Sequence, residues 1–183
     1  MIHYIENSRI AFKDQPFYHY KGEDVTFSEF YYQVCNKSIS FSKLKINDKI
    51  FFGILLSNPI DILEIYFACL QLDIRPVVFP GDISEFELQK IIKKYNISFI
   101  LTEWTRKRFI KEIHDIDYMY IQELSQTYGG CDSIDFSSEI ENIHNTQSYH
   151  LTSGTTGVPK MVELFFNNFI SSVDAWDKVL EFT

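Results

Sequence analysis

Between Lys49 and Ile121, short apolar runs bounded by turn residues alternate with segments whose apolar residues recur every three or four positions. That alternation leaves few folds open, because a short run that is apolar throughout must be covered on both faces. Lys49 to Leu56 is the first such run. Asn58 is placed to cap the helix that follows, Pro59 fits its first turn, and Asp61 suits the positive end of its dipole. Ile62, Ile65, Tyr66, Cys69 and Leu70 then form one helical face. Arg75 to Phe79 reads as a second strand, closed by Pro80-Gly81. Ser84-Glu85-Phe86-Glu87 is a capping box for a helix whose apolar face is Phe86, Ile91, Ile92 and Tyr95, and Asn96 ends it. Ser98 to Thr102 reads as a strand, Glu103 to Ile113 as a helix and Asp117 to Ile121 as a fourth strand. The pattern predicts an α/β fold: a parallel sheet with right-handed crossovers and helices on both faces.

The flanks are less regular. Met1 to Phe17 reads as a helix and a connection turned by Pro16. Asp24 to Phe30 is a short extended piece leading into a helix, with Ser28 able to cap it and Phe30, Val34 and Phe41 on one face. From about residue 123 to 146 the pattern disappears, and Gly129-Gly130, Asp132, Asp135, Glu139 and Glu141 describe an acidic surface connection rather than a metal or acid/base site. Tyr149 to Thr152 and Lys160 to Leu164 read as strands, followed by a helix from about Asn167 to Leu180. His150 reads as a half-buried strand histidine bonded to a neighbour, not as a base. The Phe165-Phe166 pair is expected to pack on the sheet.

The two strands bracket the most specific stretch in the chain, Thr152-Ser153-Gly154-Thr155-Thr156-Gly157-Val158-Pro159-Lys160. With little side-chain bulk, backbone N–H groups here can close around a small anion, and the expected one is a nucleotide phosphate. The hydroxyls add rotatable donors, and Lys160 adds a point charge. Two other phosphate loops are excluded. A P-loop needs Gly-Lys-Ser/Thr, whereas Pro159 precedes Lys160 and Met161 follows it. A dinucleotide fingerprint needs three glycines, and Gly154 and Gly157 supply only its last spacing. The chain has only seven glycines, so two within this loop are a concentration.

Charge and composition remove other functions. A formal net charge of −8 opposes a nucleic-acid groove, and the one basic cluster, Arg106-Lys107-Arg108 with Lys111, reads as the solvated face of a short helix. No apolar run approaches a membrane span, and the N-terminus lacks a basic region followed by an apolar stretch, so the expected location is cytoplasmic. Cys35, Cys69 and Cys131 are read as reduced thiols, two of them in the core.

The stretch from Thr152 to Lys160 resembles, residue for residue, the signature loop of the adenylate-forming (AMP-binding) enzymes: acyl-CoA synthetases, peptide-synthetase adenylation domains and luciferases. Thr26-Phe27-Ser28-Glu29-Phe30 is similar to the first core motif of that family. Leu70 to Leu101 is similar to the second, although Gln71-Leu72-Asp73-Ile74 replaces its usual small-residue turn with a bulkier one. Met161 and Phe166 stand where the family usually has Gly and a His or similar polar residue, which reshapes the exit from the loop.

The resemblance implies that Thr152, Ser153, Gly154, Thr155, Thr156, Gly157 and Lys160 hold the phosphates of ATP with Mg2+. It implies a ligase that activates a carboxylic acid as an acyl-adenylate for transfer to a thiol, CoA or a carrier protein. It assigns no metal ligand. Family members continue for several hundred residues, so the chain is expected to be a fragment, a truncated gene product or half of a split enzyme, inactive without a complementing C-terminal chain. The alternatives are an inactive remnant or interaction module that retains the scaffold, and a piece of a peptide-synthetase adenylation domain.

Overall fold

The structure, a computed structural model, describes residues 2–44, 51–72, 74–124, 147–152 and 159–180. The chain opens with helix α1 (Ile2–Phe12) and an antiparallel hairpin of β1 (Pro16–Tyr20) and β2 (Glu23–Thr26). Sequence reading missed this hairpin. Its signal is Lys21-Gly22, where both residues take positive φ, 52° and 88°, as a tight two-residue hairpin turn requires.

Helix α2 (Phe27–Lys43) begins two residues earlier than expected. Thr26, not Ser28, is its cap: Thr26 Oγ1 accepts from the Glu29 amide while the Glu29 carboxylate accepts from the Thr26 amide. The Thr26-x-x-Glu29 spacing is that of a reciprocal capping box, which Ser28 could not form.

Strands and helices then alternate: β3 (Phe51–Ile54), α3 (Pro59–Gln71), β4 (Arg75–Val78), α4 (Glu85–Tyr95) and β5 (Ile97–Thr102). The caps of α3 and α4 are those the sequence predicts. Asn58 accepts from the Ile60 amide with Pro59 in the first turn, Ser84 and Glu87 form a capping box, and Asn96 closes α4 in the left-handed region at φ 52°. The expected helix from Glu103 to Ile113 is instead a 3₁₀ turn, Trp104–Arg106, and a short helix α5 (Lys107–Lys111). Side-chain contacts of Glu103 and Arg106 to neighbouring loops fix this first turn in its tighter form. The last elements are β6 (Asp117–Tyr120), β7 (Gln147–Thr152), β8 (Lys160–Phe165) and α6 (Phe166–Leu180).

The six-stranded sheet has the order β6-β5-β3-β4-β7-β8. All neighbours are parallel except β7 and β8, which form an antiparallel pair at one edge. The chain steps from β3 outward to β4, then returns past β3 to β5. The two crossover helices therefore cover opposite faces. On one face α2 and α3 bury Phe30, Val34, Phe41, Ile65 and Ala68 against Phe52, Ile54 and Leu101. On the other, α4 and α5 bury Leu88, Ile91, Ile92 and Ile110 against Leu55, Val77 and Ile100. Each such side chain contributes about 1.5–3 kcal/mol relative to exposure, so both layers are needed to hold the sheet.

Two aromatic expectations fail. Phe86 is 69% exposed, and Leu88 occupies the core in its place. Residues 88, 91, 92 and 95 make the continuous stripe, and position 86 lies on the far side of the helix, where Lys90 Nζ sits 3.8 Å from the ring centroid. Phe165 is also exposed rather than packed on the sheet; the side chain of Phe166 lies outside the described residues. Cys35 and Cys69 are buried and outside any disulfide, as expected. Cys131, Asp73 and most of the acidic connection lie outside the described residues. Among those described, no helix is long and apolar enough to cross a membrane.

Candidate functional site

Strand β7 runs parallel to β4, with Val77 opposite Tyr149, so its C-terminal residue Thr152 emerges at the carboxyl edge of the parallel strands. Open α/β sheets bind ligands at that edge, where the connecting loops converge. The antiparallel partner β8 brings the chain back so that Thr152 and Lys160 are the last opposed pair. Thr152 Oγ1 donates to the Lys160 carbonyl at 3.3 Å, and both side chains are exposed. The neck of the loop is thus closed by an opposed threonine and lysine pair. Ser153, Gly154, Thr155, Thr156 and Gly157 lie outside the described residues.

Helix α4 supports this neck from below. Tyr95 Oη donates to the Pro159 carbonyl at 3.2 Å and accepts from the Met161 amide at 2.9 Å. Burial pushes the Tyr95 phenol up, but its hydrogen bonds to Lys94 and the Met161 amide and the positive charges of Lys94 and Lys160 outweigh this and bring it below its ordinary value. The N-terminal part of α4 and the loop before it form one wall of a groove of about 290 Å³. Pro80, Asp82, Ile83 and Glu87 line one side, and Thr152 and Pro159 the other.

A second polar cluster joins three loops at the same edge. Arg106 Nη2 donates to the Gly81 carbonyl at 2.8 Å, its Nε lies 3.3 Å from Glu103 Oε1, and Ser57 Oγ donates to Glu103 Oε1 at 2.6 Å. Arg106 is therefore not part of a solvated basic face, as the sequence suggested. Only Lys107, Arg108 and Lys111 are. The difference follows from Arg106 lying in the 3₁₀ turn, which aims it at the β4–α4 loop.

Behind β7 a chain of hydroxyls links the strand to α3. Tyr66 Oη is hydrogen-bonded to Ser148 Oγ, which lies 2.7 Å from His150 Nε2. Burial holds His150 below its usual value, so the ring is a neutral, bonded strand histidine as its sequence context predicts. Among the described residues no group of His, Cys, Asp and Glu could hold a metal ion. Sequence reading missed Tyr95, Arg106 and Ser148 as site residues. Each acts across 25 to 82 positions of chain, and no local spacing signals such a partner.

The sheet order, the two-faced helical cover and the loop neck at the carboxyl edge define an open α/β protein with a candidate anion-binding hairpin. The chain belongs to the AMP-binding enzyme family, whose profile matches residues 6–182. It is 24% identical over 162 residues to VraA of Staphylococcus epidermidis, named as a long chain fatty acid-CoA ligase, a match covering 88% of this chain and 30% of that protein. Among solved structures it resembles o-succinylbenzoate coenzyme A synthetase (MenE) of Bacillus subtilis in complex with ATP and magnesium ion, with a TM-score of 0.80, 20% identity and coverage of 98% of this chain and 37% of that one. The N-terminal subdomain of Klebsiella oxytoca NpsA is also similar, with a TM-score of 0.72, 13% identity and coverage of 90% and 41%. The chain thus spans between 30% and 41% of the length of these three proteins.

Proposed function

We propose that this chain is the N-terminal part of the AMP-binding domain of a ligase that uses ATP to activate a carboxylic acid as an acyl-adenylate and passes the acyl group to the thiol of CoA. The observation that carries the proposal is the closed neck at Thr152 and Lys160, set at the ligand-facing edge of the sheet. Family membership and the likeness to ATP-bound MenE support it.

In this reading Thr152, Ser153, Gly154, Thr155, Thr156, Gly157 and Lys160 grip the β- and γ-phosphates of ATP, which arrives with Mg2+. The residues described here do not themselves form a metal site, and none is assigned to the ion. A carboxylate oxygen of the acid attacks the α-phosphorus, the bond to the bridging oxygen breaks, and pyrophosphate leaves with the electron pair. Charge builds on that leaving group, and preorganised donors with a nearby cation act where it develops. In the second step a thiolate attacks the acyl carbon and AMP departs. The groups that hold adenine, ribose and the acid belong, in this proposal, to the remaining length of such an enzyme, whether in the same chain or a complementing one. Reduced cysteines at positions 35 and 69 fit a cytoplasmic setting.

The direct test is acid-dependent exchange of pyrophosphate into ATP by the complete protein that carries this chain, followed by thioester formation with CoA. Exchange that leads to thioester with a carrier-protein arm but not with CoA corrects the acceptor. Failure of every carboxylic acid to support exchange contradicts the ligase reading.

A further inference from the structure

We infer that Tyr95 is a positioning residue for Lys160: its hydroxyl grips the two peptide groups on either side of that lysine and fixes where the ammonium can reach. The inference rests on the proposed reading of the loop as a phosphate grip.

The geometry is specific. Tyr95 Oη donates to the carbonyl of Pro159 and accepts from the amide of Met161, so residues 159 and 161 are both held and Lys160 lies between them. One hydroxyl uses its donor and an acceptor lone pair on a single three-residue stretch. Strand β8 is the terminal strand of the sheet, and the Met161 amide finds its partner in this side chain rather than in a neighbouring strand. Together with the bond from Thr152 to the Lys160 carbonyl, three hydrogen bonds fix the backbone at the loop exit.

The holder is itself rigid. Tyr95 is the last residue of α4, which is capped by Ser84 and Glu87 at one end and by left-handed Asn96 at the other, and which buries Leu88, Ile91 and Ile92. The same helix lines the groove beside Thr152 through Glu87 and Ile91. One helix therefore sets both the groove wall and the position of the lysine. A flexible four-carbon side chain gains most in binding when its own backbone does not have to be ordered at the moment of contact.

The test is a double-mutant cycle on the whole chain, with the dissociation constant for Mg-ATP measured by calorimetry. The variants are Tyr95→Phe, Lys160→Ala and both together. Amide exchange of Met161 is followed in the nucleotide-free wild type and Tyr95→Phe. Phe keeps the ring, so the fold is retained. Tyr95→Phe is expected to weaken binding about three- to tenfold, the range of a lost hydrogen-bond pair. The double variant should bind no worse than Lys160→Ala, since Tyr95 acts through that lysine, and Met161 should exchange faster in Tyr95→Phe. Singles that multiply in the double variant, a Tyr95→Phe protein that binds as wild type while Lys160→Ala does not, or unchanged Met161 exchange each overturn the inference and leave the phosphate reading standing. If Lys160→Ala binds as wild type, or the wild type binds nothing, the phosphate reading itself falls and takes the inference with it.

Discussion

Arg106 reaches back 25 positions to donate its Nη2 hydrogen to the Gly81 carbonyl at 2.8 Å, tying the turn after β5 to the loop after β4. The same guanidinium lies beside Glu103, which accepts from Ser57 in the loop after β3. Arg106→Ala leaves the Glu103 carboxylate and the Gly81 carbonyl without this donor. It is expected to cost about 1–3 kcal/mol in urea denaturation, with Arg106→Lys intermediate because an ammonium cannot span both acceptors. Burial alone would push Glu103 up, but bonds from Ser57 and Thr105 and the Arg106 charge hold it below its ordinary 4.5. The folded value is depressed, so the stabilisation is present at neutral pH and is lost as pH falls below that range. An Arg106→Ala penalty that is the same at pH 7 and pH 3 would contradict the assignment.

Gly53 lies at the centre of the sheet on the face covered by α4. A Cβ there would meet Phe79 Cε2 at 2.6 Å and Ile100 Cγ1 at 2.9 Å, both in fully packed side chains. Gly53→Ala is expected to destabilise by about 1–3 kcal/mol, the usual cost of overpacking a filled core. Thermal unfolding checks this, and an unchanged or raised Tm would show that the Phe79 ring has room to move.

A buried carboxyl and a half-buried imidazole oppose one another in pH. Burial raises the Glu64 carboxyl from its ordinary 4.5 to about 7, with Lys37 lowering it and Asp61 raising it. An acid whose folded value is raised binds a proton more readily when folded, so Glu64 makes the protein less stable as pH climbs from about 4.5 to about 7, and the loss levels off above that. Glu64→Gln is therefore expected to stabilise at pH 8 by about 2 kcal/mol and to be near neutral at pH 4.5. His150, held low by burial, acts the other way: its neutral ring fits the folded state, and stability is lost as pH falls below about 6.5. Chemical denaturation of the wild type and Glu64→Gln between pH 4.5 and 8 separates the two slopes, since only the Glu64 slope is lost in the variant.

Exposed apolar side chains gather on the outer helices, including Ile10, Phe12, Val173 and Trp176. Such surface, with β8 as an open sheet edge, is expected to drive self-association of the isolated chain. Light scattering should show mass rising with concentration, and Trp176→Glu should reduce it. A monodisperse monomer at high concentration would count against this.

The alternating core from Phe51 to Thr102 was legible because its strands are short and mainly apolar and its two long helices carry their caps beside them, as Asn58 and Ser84 do; α5 has no such cap, and its bounds were not. Phe86 misled because composition says aromatic while the stripe through Leu88, Ile91 and Ile92 decides the face. Thr26 was overlooked as a cap because Ser28 sits inside the same motif. The bracket at Thr152 and Lys160 could be read directly, since two strands with a small-residue loop between them must bring their ends together. Tyr95 and Arg106 could not, because their partners lie in segments joined only after the sheet has formed.

The central claim is that the loop closed by Thr152 and Lys160 grips nucleotide phosphates. It is tested most directly by calorimetric titration of this chain with Mg-ATP, beside Lys160→Ala. The account predicts binding by the wild type that weakens about tenfold or more in the variant, as expected when a charged donor to phosphate is removed. Equal affinity in the two proteins would contradict it.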